Sequence, residues 1–407
     1  MFKNKALIPI AVVVFVDLLG FSIILPLLPY YASTFAASPE MIGYLVASYS
    51  VFQFLAAPIL GGMSDKYGRR PLLIYSQFGS AAGYVLLGIA HSLPLLFLAR
   101  IVDGISGGNI SIASAYIADV TEPKDRSGAY AIIGIAFGLG FLVGPLLGGT
   151  LAENFGYSTP AFVSAAFSFS SALLTIFYLK EHRHAQDAVQ PRGLNYYARI
   201  IEYLRDANLR GYLFVFLFFA LPFSLYVSMA SLYMKLEFSA TPQQVGFFLA
   251  FVGMLGIIYQ GALIRPLVKK LGDLKLMRIG MVAMGLGIGS IYFVREWWEL
   301  LITAVVFSFG TGVTRPTLSS LITTAAPPNR KGGVLGVSSM IESASRSVSP
   351  ILGGWIIALF APNVIGLAGA ILTMFGIYFA FNVKDLSDLH EVTSPFAGPR
   401  EAGFEGE

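Results

Sequence analysis

The stretch GGMSDKYGRRPLL, residues 61–73, is a hydrophilic island between two long apolar runs of the chain. It places four charged residues, Asp65, Lys66, Arg69 and Arg70, in one short link that begins with glycines and ends near a proline. Charged links of this kind are typical of the loops that join membrane-spanning helices at the water interface. The stretch therefore predicts two membrane-spanning helices joined by a charged loop.

The whole chain shares the apolar character of the runs that flank this link. It has 407 residues, of which 56% are hydrophobic and only 12% are charged, and its mean hydropathy is +0.71. Because soluble globular chains carry about 25% charged residues, the composition predicts an integral membrane protein. A cleaved signal peptide is not expected, since the first apolar run carries Asp17 and continues past Pro26 and Pro29.

A membrane-spanning helix needs about 20 mainly apolar residues, and on that basis the sequence predicts twelve spans. The first six are 6–31, 41–62, 71–91, 94–118, 128–151 and 158–179. The second six are 211–234, 243–264, 275–294, 298–322, 332–360 and 362–383. The predicted fold class is all-α, with six-helix bundles at 1–180 and 211–383, a cytoplasmic linker at 181–210 and a disordered cytoplasmic tail at 384–407.

The two predicted bundles repeat each other in sequence. Three pairs of segments match: SPEMIGYL at 38–45 with TPQQVGFF at 241–248, EPKDR at 122–126 with APPNR at 326–330, and GPLLGG at 144–149 with SPILGG at 349–354. Their offsets are 203, 204 and 205 residues. A near-constant offset indicates a duplicated six-helix unit, which is typical of secondary transporters.

The basic residues predict the orientation of the chain in the membrane. Of the 27 lysine and arginine residues, three lie well inside predicted spans and only Lys235 and Arg295 lie at the ends of spans or in loops on one side. The remaining 22 lie on the other side, so the positive-inside rule predicts that both termini are cytoplasmic. Because these residues are scattered over separate loops, nucleic acid is not expected as a partner. The short loops and short N-terminus favour a prokaryotic inner (plasma) membrane.

The charged link carries a recognisable motif. It reads G-x-x-x-D-K-x-G-R-R, with its key positions at Gly61, Asp65, Lys66, Gly68, Arg69 and Arg70. This pattern resembles the signature loop of the major facilitator superfamily, which implies a cytoplasmic gate that locks the outward-facing state. Asp65 would then sit at the N-terminus of a helix from the other half, where the helix dipole favours it. The alternative for the two arginines is a plain topology signal.

The second half has only part of this motif. Its counterpart, ALIRPLVKKLGD, keeps Gly272 but has no acid where Asp65 would align. A one-sided lock is therefore predicted.

Three further segments strengthen the resemblance. In LARIVDGISGG, residues 98–108, Arg100 and Gly104 match the R-x-x-x-G element of proton-coupled members. DLLGFSIILPLLP, residues 17–29, resembles the first helix of tetracycline/proton antiporters and their 12-helix multidrug relatives. GFLVGPLLGG matches the G-x-x-x-G-P-x-x-G-G pattern associated with antiporters, at Gly140, Gly144, Pro145, Gly148 and Gly149. Taken alone, the spaced glycines of this last segment would indicate only close helix packing.

Six ionisable residues lie well inside predicted spans: Asp17, Arg100, Asp103, Arg315, Glu342 and Arg346. Arg100 and Asp103 are three residues apart, and Glu342 and Arg346 are four apart, so each pair can neutralise itself on one helix. Asp17 and Arg315 have no such local partner. The alternatives are an interhelical pair of Asp17 with Arg100, and of Arg315 with Glu342 in the neighbouring helix; Arg315 could instead anchor an anionic substrate group.

Proton coupling is assigned first to Asp17, then to Asp103 and Glu342, with Arg100 as part of a relay. A carboxyl group in a low-dielectric site holds a proton readily and releases it when a cation or water arrives. Competition of that kind is sufficient to couple proton entry to substrate exit.

The predicted substrate cavity is aromatic and sparsely polar, which suits amphipathic or lipophilic compounds. Its candidate lining residues are Phe21, Gln53, Asn109, Tyr226, Tyr259 and Arg315. The sequence thus predicts a monomeric proton-coupled antiporter that exports such compounds, drugs among them, by alternating access. A proton-coupled exporter of one metabolite (a sugar, a siderophore or a lipid-like molecule) and a transport-dead sensor on the same fold stay open as alternatives.

An enzyme is not expected from the sequence, because no predicted span contains a nucleophile–base set. The chain has no cysteine, and its histidines, at 91, 182, 184 and 390, lie in loops or in the tail without the spacing of a zinc site. We therefore predict no metal and no cofactor, with the proton gradient as the driving force.

Overall fold

A computed structural model of the protein describes residues 7–121, 126–181, 203, 205–327 and 331–383, and within them it contains helices and no strands. The helices of the first half are α1 Leu7–Ile24, α2 Leu28–Ser33, α3 Pro39–Tyr67, α4 Arg69–Gly88, α5 Leu93–Ser106, α6 Asn109–Val120, α7 Arg126–Phe155 and α8 Ser158–Tyr178. Those of the second half are α9 Ala207–Phe238, α10 Pro242–Ile258, α11 Ile264–Leu271, α12 Asp273–Ser290, α13 Glu299–Ala325, α14 Lys331–Leu359 and α15 Val364–Asn382. The predicted all-α membrane fold is confirmed.

Ten helical segments of the described chain are long and apolar enough to cross a membrane. The other two predicted spans, 71–91 and 332–360, form α4 and α14, with 20 and 29 residues. At 1.5 Å per residue both are long enough to cross about 30 Å of hydrocarbon. They are less apolar because α4 begins with two arginines and α14 contains Glu342, Arg346 and several serines.

Several predicted spans are interrupted rather than continuous. A 3-10 turn at Leu25–Leu27, which contains Pro26, separates α1 from α2, and a π-helical turn at Tyr259–Leu263 separates α10 from α11. The predicted span 94–118 is two helices, α5 and α6, that break at Gly107 and Gly108. Breaks at membrane depth free backbone polar groups, which are tolerated where they line a cavity.

The bundle has two ends, which we name by their loops. The basic face carries the loops at Gly68 and Gly272, and the far face carries those at 34–38 and 239–241. Gly68 and Gly272 occupy equivalent positions in the two halves, and both have positive φ values, of 105° and 76°. Glycine adopts this region without steric cost, so the chain makes a tight turn at Gly68 that is repeated at Gly272 in the second half.

The two halves meet at the far face, where α3 packs on α14 and α7 packs on α10. Here the repeated segments pack crosswise: Gly43 faces the Pro350 carbonyl, and Gly246 faces the Pro145 carbonyl so closely that neither glycine has room for a Cβ atom. Two side-chain hydrogen bonds join the halves at the same end: the Tyr30 hydroxyl donates to the Ala240 carbonyl at 2.6 Å, and the Trp355 indole donates to the Tyr44 hydroxyl at 3.0 Å.

The basic face is open between the halves. A Cβ atom added to Gly61, Gly62 or Gly272 would have no described atom within 4 Å, and α11 contains no buried residue. Among the described residues, the two halves are therefore in contact at the far face and apart at the basic face. Most of the predicted linker at 181–210 and all of the predicted tail at 384–407 lie outside the described residues.

Candidate functional site

A cavity in the interior of the first half brings together five of the predicted site residues. It is lined from α1 by Asp17 and Phe21, from α3 by Gln53, from α5 by Asp103 and from α6 by Asn109. The lining residues that were not predicted from the sequence include Tyr49 of α3, and Ser80 and Tyr84 of α4. The second half contributes Arg346 of α14.

Asp17 lies half-buried in the middle of α1. Its Oδ1 accepts a hydrogen bond of 2.8 Å from Nδ2 of Asn109. The alternative ion pair of Asp17 with Arg100 is not formed in this structure. Among the described residues, Asp17 has no cationic partner within ion-pair distance, so Asn109, predicted as a substrate ligand, is first of all the partner of the Asp17 carboxylate.

Arg100 and Asp103 form the predicted local ion pair. Nη1 of Arg100 lies 2.8 Å from Oδ2 of Asp103, and the two side chains are only 3% and 2% exposed. Arg100 also stacks over the ring of Tyr49, with 4.6 Å between the guanidinium carbon and the ring centroid, and Ser80 is a hydrogen-bond partner of Asp103. Because a buried charge needs a partner, this pair is a neutral unit in the wall of the cavity.

The break between α5 and α6 is held by Gln53. Its amide nitrogen donates to the Gly107 carbonyl at 2.8 Å and to the Tyr49 hydroxyl at 2.9 Å. The Tyr49 ring in turn lies 5.2 Å from the ring of Phe21, measured between centroids. Gln53 therefore satisfies a backbone carbonyl that the helix break exposes, and the aromatic pair forms one wall of the cavity.

Two predicted substrate residues of the second half lie elsewhere. Tyr226 is 7% exposed and packs on Phe307 with 4.0 Å between ring centroids. Tyr259 opens the π-helical turn and packs edge-on against Phe309, with 5.6 Å between centroids. Neither lines the cavity with Asp17. Both residues lie in helical segments at the predicted spans, but the predicted place in one shared cavity with Asp17 is not found.

The charged residues of the second half pair differently from the local prediction. Nη2 of Arg315 lies 3.0 Å from both carboxylate oxygens of Glu342, which realises the interhelical alternative. Arg315 is 50% exposed on its side chain and Glu342 is 22% exposed. Arg346 is left without an ion pair among the described residues and lines the cavity of the first half.

At the basic face, the charges of the motif loop find partners within the first half. Arg69 lies 2.5 Å from Asp65 and 3.0 Å from Asp119, measured between nitrogen and carboxylate oxygen. Arg70 donates to the Ile176 carbonyl at 2.6 Å. The carboxylate of Glu181 accepts the backbone N–H groups of both arginines at 3.1 Å each. The expected docking of Asp65 on a helix of the other half is not formed in this open state.

The predicted antiporter segment of α7 packs on two different neighbours. Its face with Gly144 and Gly148 lies against Ser22 and Ile23 of α1, and Ser22 donates to the Gly140 carbonyl at 2.8 Å. The remaining two residues face the second half: the Pro145 carbonyl lies against Gly246, and Gly149 lies against Pro242. The segment therefore joins α1 to the closed far-face contact.

Metal binding has no visible basis in the part of the chain that the structure describes. Within it, no group of three or more histidine and acidic side chains could hold an ion.

The sequence matches a family model described as Major Facilitator Superfamily over residues 10–265 and 212–398. It is 28% identical over 350 residues to the tetracycline resistance protein, class B, of Escherichia coli, which covers 84% of this chain and 86% of that protein. It is 27% identical over 347 residues to multidrug resistance protein 2 of Bacillus subtilis (strain 168), which covers 84% of this chain and 86% of that protein.

Solved structures with the same architecture include two transporters. The human organic anion transporter MFSD10 (TETRAN) matches with a TM-score of 0.70 and 23% identity, over 93% of this chain and 100% of that chain. The nucleoside transporter NupG matches with a TM-score of 0.77 and 13% identity, over 94% of this chain and 100% of that chain. At these identities, the structural matches show the fold alone.

Proposed function

The chain belongs to the major facilitator superfamily, and from that premise we propose that it is a proton-coupled antiporter that exports small amphipathic or lipophilic compounds by alternating access. Transporters of this family move small molecules across a membrane, which favours transport over enzymatic activity. Relatives named for tetracycline and multidrug resistance support a drug-like substrate.

The observation that carries the proposal is the state of Asp17. Its carboxylate lies in the cavity, bound by the neutral amide of Asn109. The nearby guanidinium of Arg100 is already paired with Asp103. Within the described residues, Asp17 is thus an acid in the membrane interior without a neutralising cation, and such an acid binds either a proton or a cationic ligand.

Competition at Asp17 gives the coupling. When the cavity faces the cytoplasm, the cationic group of a substrate displaces the proton from Asp17. The two halves then rock about the cavity, the far face opens, and a proton from outside displaces the substrate. Because the same carboxylate serves both ligands, neither can complete the cycle alone.

The proton gradient supplies enough free energy for useful export. A membrane potential of 100 mV contributes about 2.3 kcal/mol for each charge that moves inward. One proton per cycle therefore sustains roughly fifty-fold accumulation of a compound without net charge before any pH gradient is counted. Exchange of one proton for one singly charged cation moves no net charge, so the pH gradient alone drives the export of such a cation. The chain would need no further cofactor.

We also propose that the protein works as a monomer in the inner (plasma) membrane, with the basic face and both termini cytoplasmic. The strong excess of lysine and arginine in the loops of that face supports the orientation. The open cavity would then face the cytoplasm, from which an exporter must collect its substrate.

Inverted membrane vesicles with an acidified interior and a pH-reporting dye test the proposal. Addition of a substrate releases protons from the vesicles and restores the dye signal if the protein is an antiporter. Lipophilic cations, tetracyclines, sugars and neutral amphiphiles are added one at a time. We expect recovery with amphipathic cations in the wild type, and none with Asp17→Asn.

Two controls separate coupling from folding. Glu153→Gln removes a carboxylate from an exposed site at the far-face end of α7, and it should behave like wild type. Asp17→Glu keeps the acid and should retain some recovery. Recovery with Asp17→Asn would move the proton to Asp103 or Glu342, whereas recovery with a single sugar or other metabolite alone would favour the narrow exporter. Silence of a folded wild-type protein with every compound would contradict proton antiport.

A further inference from the structure

Arg346 is the one residue of the second half that lines the cavity of Asp17. It lies on α14, one turn after Glu342, and it is half-buried. It is close enough to Tyr49 of the first half for an electrostatic interaction. The cavity therefore has a wall from each half, although all its carboxylates come from the first.

The guanidinium of Arg346 forms no ion pair in the described structure, and Glu342, one turn before it on α14, lies near enough only for an electrostatic interaction. Glu342 is held by Arg315 through both carboxylate oxygens, at 3.0 Å each. Asp103 is held by Arg100 at 2.8 Å, and Asp17 is bonded to Asn109. Among the described residues of the cavity, Arg346 is the cation left unpaired.

An unpaired arginine is costly in the membrane interior and persists there when it faces an aqueous cavity and serves a ligand. Guanidinium groups bind carboxylates and phosphates through two parallel hydrogen bonds, which gives geometry as well as affinity. An arginine without an ion pair and an acid without a cation thus line one cavity from opposite halves of the molecule, and their charges are complementary to those of a zwitterion.

We propose that Arg346 binds the anionic group of the substrate, so that the cavity recognises an amphipathic zwitterion. Its cationic group lies at Asp17 and its anionic group at Arg346, with the apolar body against Phe21 and Ile110. This inference rests on the proposed function and names the substrate class of the same cavity.

The placement of the two charges also explains how substrate binding affects the relative position of the two halves. Asp17 belongs to the first half and Arg346 to the second, so a zwitterion that contacts both bridges the halves. A simple cation contacts only the first half, and a simple anion does not displace the proton from Asp17. A zwitterion does both, because each of its charges meets the opposite charge on the protein.

The experiment compares two probes that differ by one charge: a zwitterionic fluoroquinolone and its methyl ester, which keeps the amine and loses the carboxylate. Binding to the purified full chain in detergent is measured by fluorescence, and proton release is measured in the dye assay. We expect the acid to bind wild type at least about tenfold more tightly than the ester, as one charged, bidentate contact allows.

Arg346→Gln should weaken binding of the acid by about tenfold or more and leave the ester unchanged. Arg346→Lys keeps the charge without the bidentate geometry and should restore part of the preference. It also tests the proposal if the glutamine variant does not fold. Equal loss for acid and ester, or no loss for the acid, would overturn the role of Arg346.

The two measurements keep this inference apart from the proposed function. If binding of the acid depends on Arg346 but the dye signal is silent, the binding site stands and proton antiport fails. If the ester drives proton release and Arg346→Gln changes nothing, antiport stands and the zwitterion site fails.

Discussion

Because the two halves pack tightly at the far face, we expect one added methyl group there to change the balance between the closed and open conformations strongly. Gly149 of α7 lies against the first turn of α10 in the other half. A Cβ atom added there would meet the Pro242 carbonyl oxygen, with the Pro242 carbonyl carbon at 3.0 Å and Cα of Gln243 at 3.1 Å. These are backbone atoms, so the clash cannot be relieved by a side-chain rotation. Gly149→Ala should therefore push the two halves apart at the far face.

The size of the effect follows from the cost of overpacking. Inserting a methyl group into a well-packed contact costs about 1–3 kcal/mol. The contact exists only when the far face is closed, so this cost falls on one of the two conformations. It shifts their ratio by about 5- to 150-fold. A tenfold shift would raise a minor open state from about 10% to about half of the molecules.

Pulsed electron paramagnetic resonance measures this shift directly. The chain contains no cysteine, so Thr34→Cys and Glu237→Cys place one spin label on each half at exposed far-face sites. The otherwise unchanged chain should give mainly one short distance. Gly149→Ala should add a second, longer population.

Gly140→Ala is the matched control on the same helix. A Cβ atom at Gly140 would lie 3.4 Å from Cβ of Leu18, within the first half and at ordinary contact distance. Its distance distribution should equal that of the parent. If Gly149→Ala leaves the distribution unchanged, or if Gly140→Ala shifts it equally, the far-face contact does not control the equilibrium and the reasoning is refuted.

Two further predictions concern charges held within the first half. Arg100→Gln leaves Asp103 buried without its cation and should destabilise the protein by about 3–5 kcal/mol. Adding Asp103→Asn should recover most of the lost melting temperature. If it does not, loss of the ion pair is not the cause of the destabilisation. Glu181→Gln weakens the carboxylate that accepts the backbone N–H groups of Arg69 and Arg70, at a cost of about 1–3 kcal/mol. Hydrogen exchange at the start of α4 should speed up in that variant, and not in Glu153→Gln; an unchanged rate would contradict the role of Glu181.

The features of the fold that the sequence predicted correctly are those that depend on the order of residues along the chain. Apolar runs placed the helices, and near-constant offsets between SPEMIGYL and TPQQVGFF indicated the duplication. Local charge spacing predicted the pair of Arg100 and Asp103, which the structure confirms. Such features depend on the length of an apolar run or on the spacing of residues along one helix, and both can be read from the sequence.

The features that were missed depend on the direction in which each helix faces. Tyr226 and Tyr259 lie in spans as predicted, but their helices point them away from the cavity. The sequence left two partners open for Glu342, Arg346 on the same helix and Arg315 on the adjacent one, and the structure forms the ion pair with Arg315. Spacing of four residues shows that two side chains can meet. It does not show that a third residue on a neighbouring helix meets one of them better.

The two faces of the bundle have diverged in a way that bears on how the cycle proceeds. The duplicated glycine and proline segments pack crosswise at the far face in both halves, without charge, as Gly43 with Pro350 and Gly246 with Pro145 show. At the basic face, only the first half keeps the acid of the motif loop, and in the open state Asp65 is already paired with Arg69.

Separation of the halves at the basic face therefore leaves the described charges of that loop satisfied. Arg69 has Asp65 and Asp119, Arg70 has the Ile176 carbonyl, and Glu181 has two backbone N–H groups. Opening this face does not create stranded charges, whose cost would otherwise hold the gate shut. If the balance between the two faces is set by small differences of this kind, the proposed binding of a single proton or substrate at Asp17 would be enough to shift it.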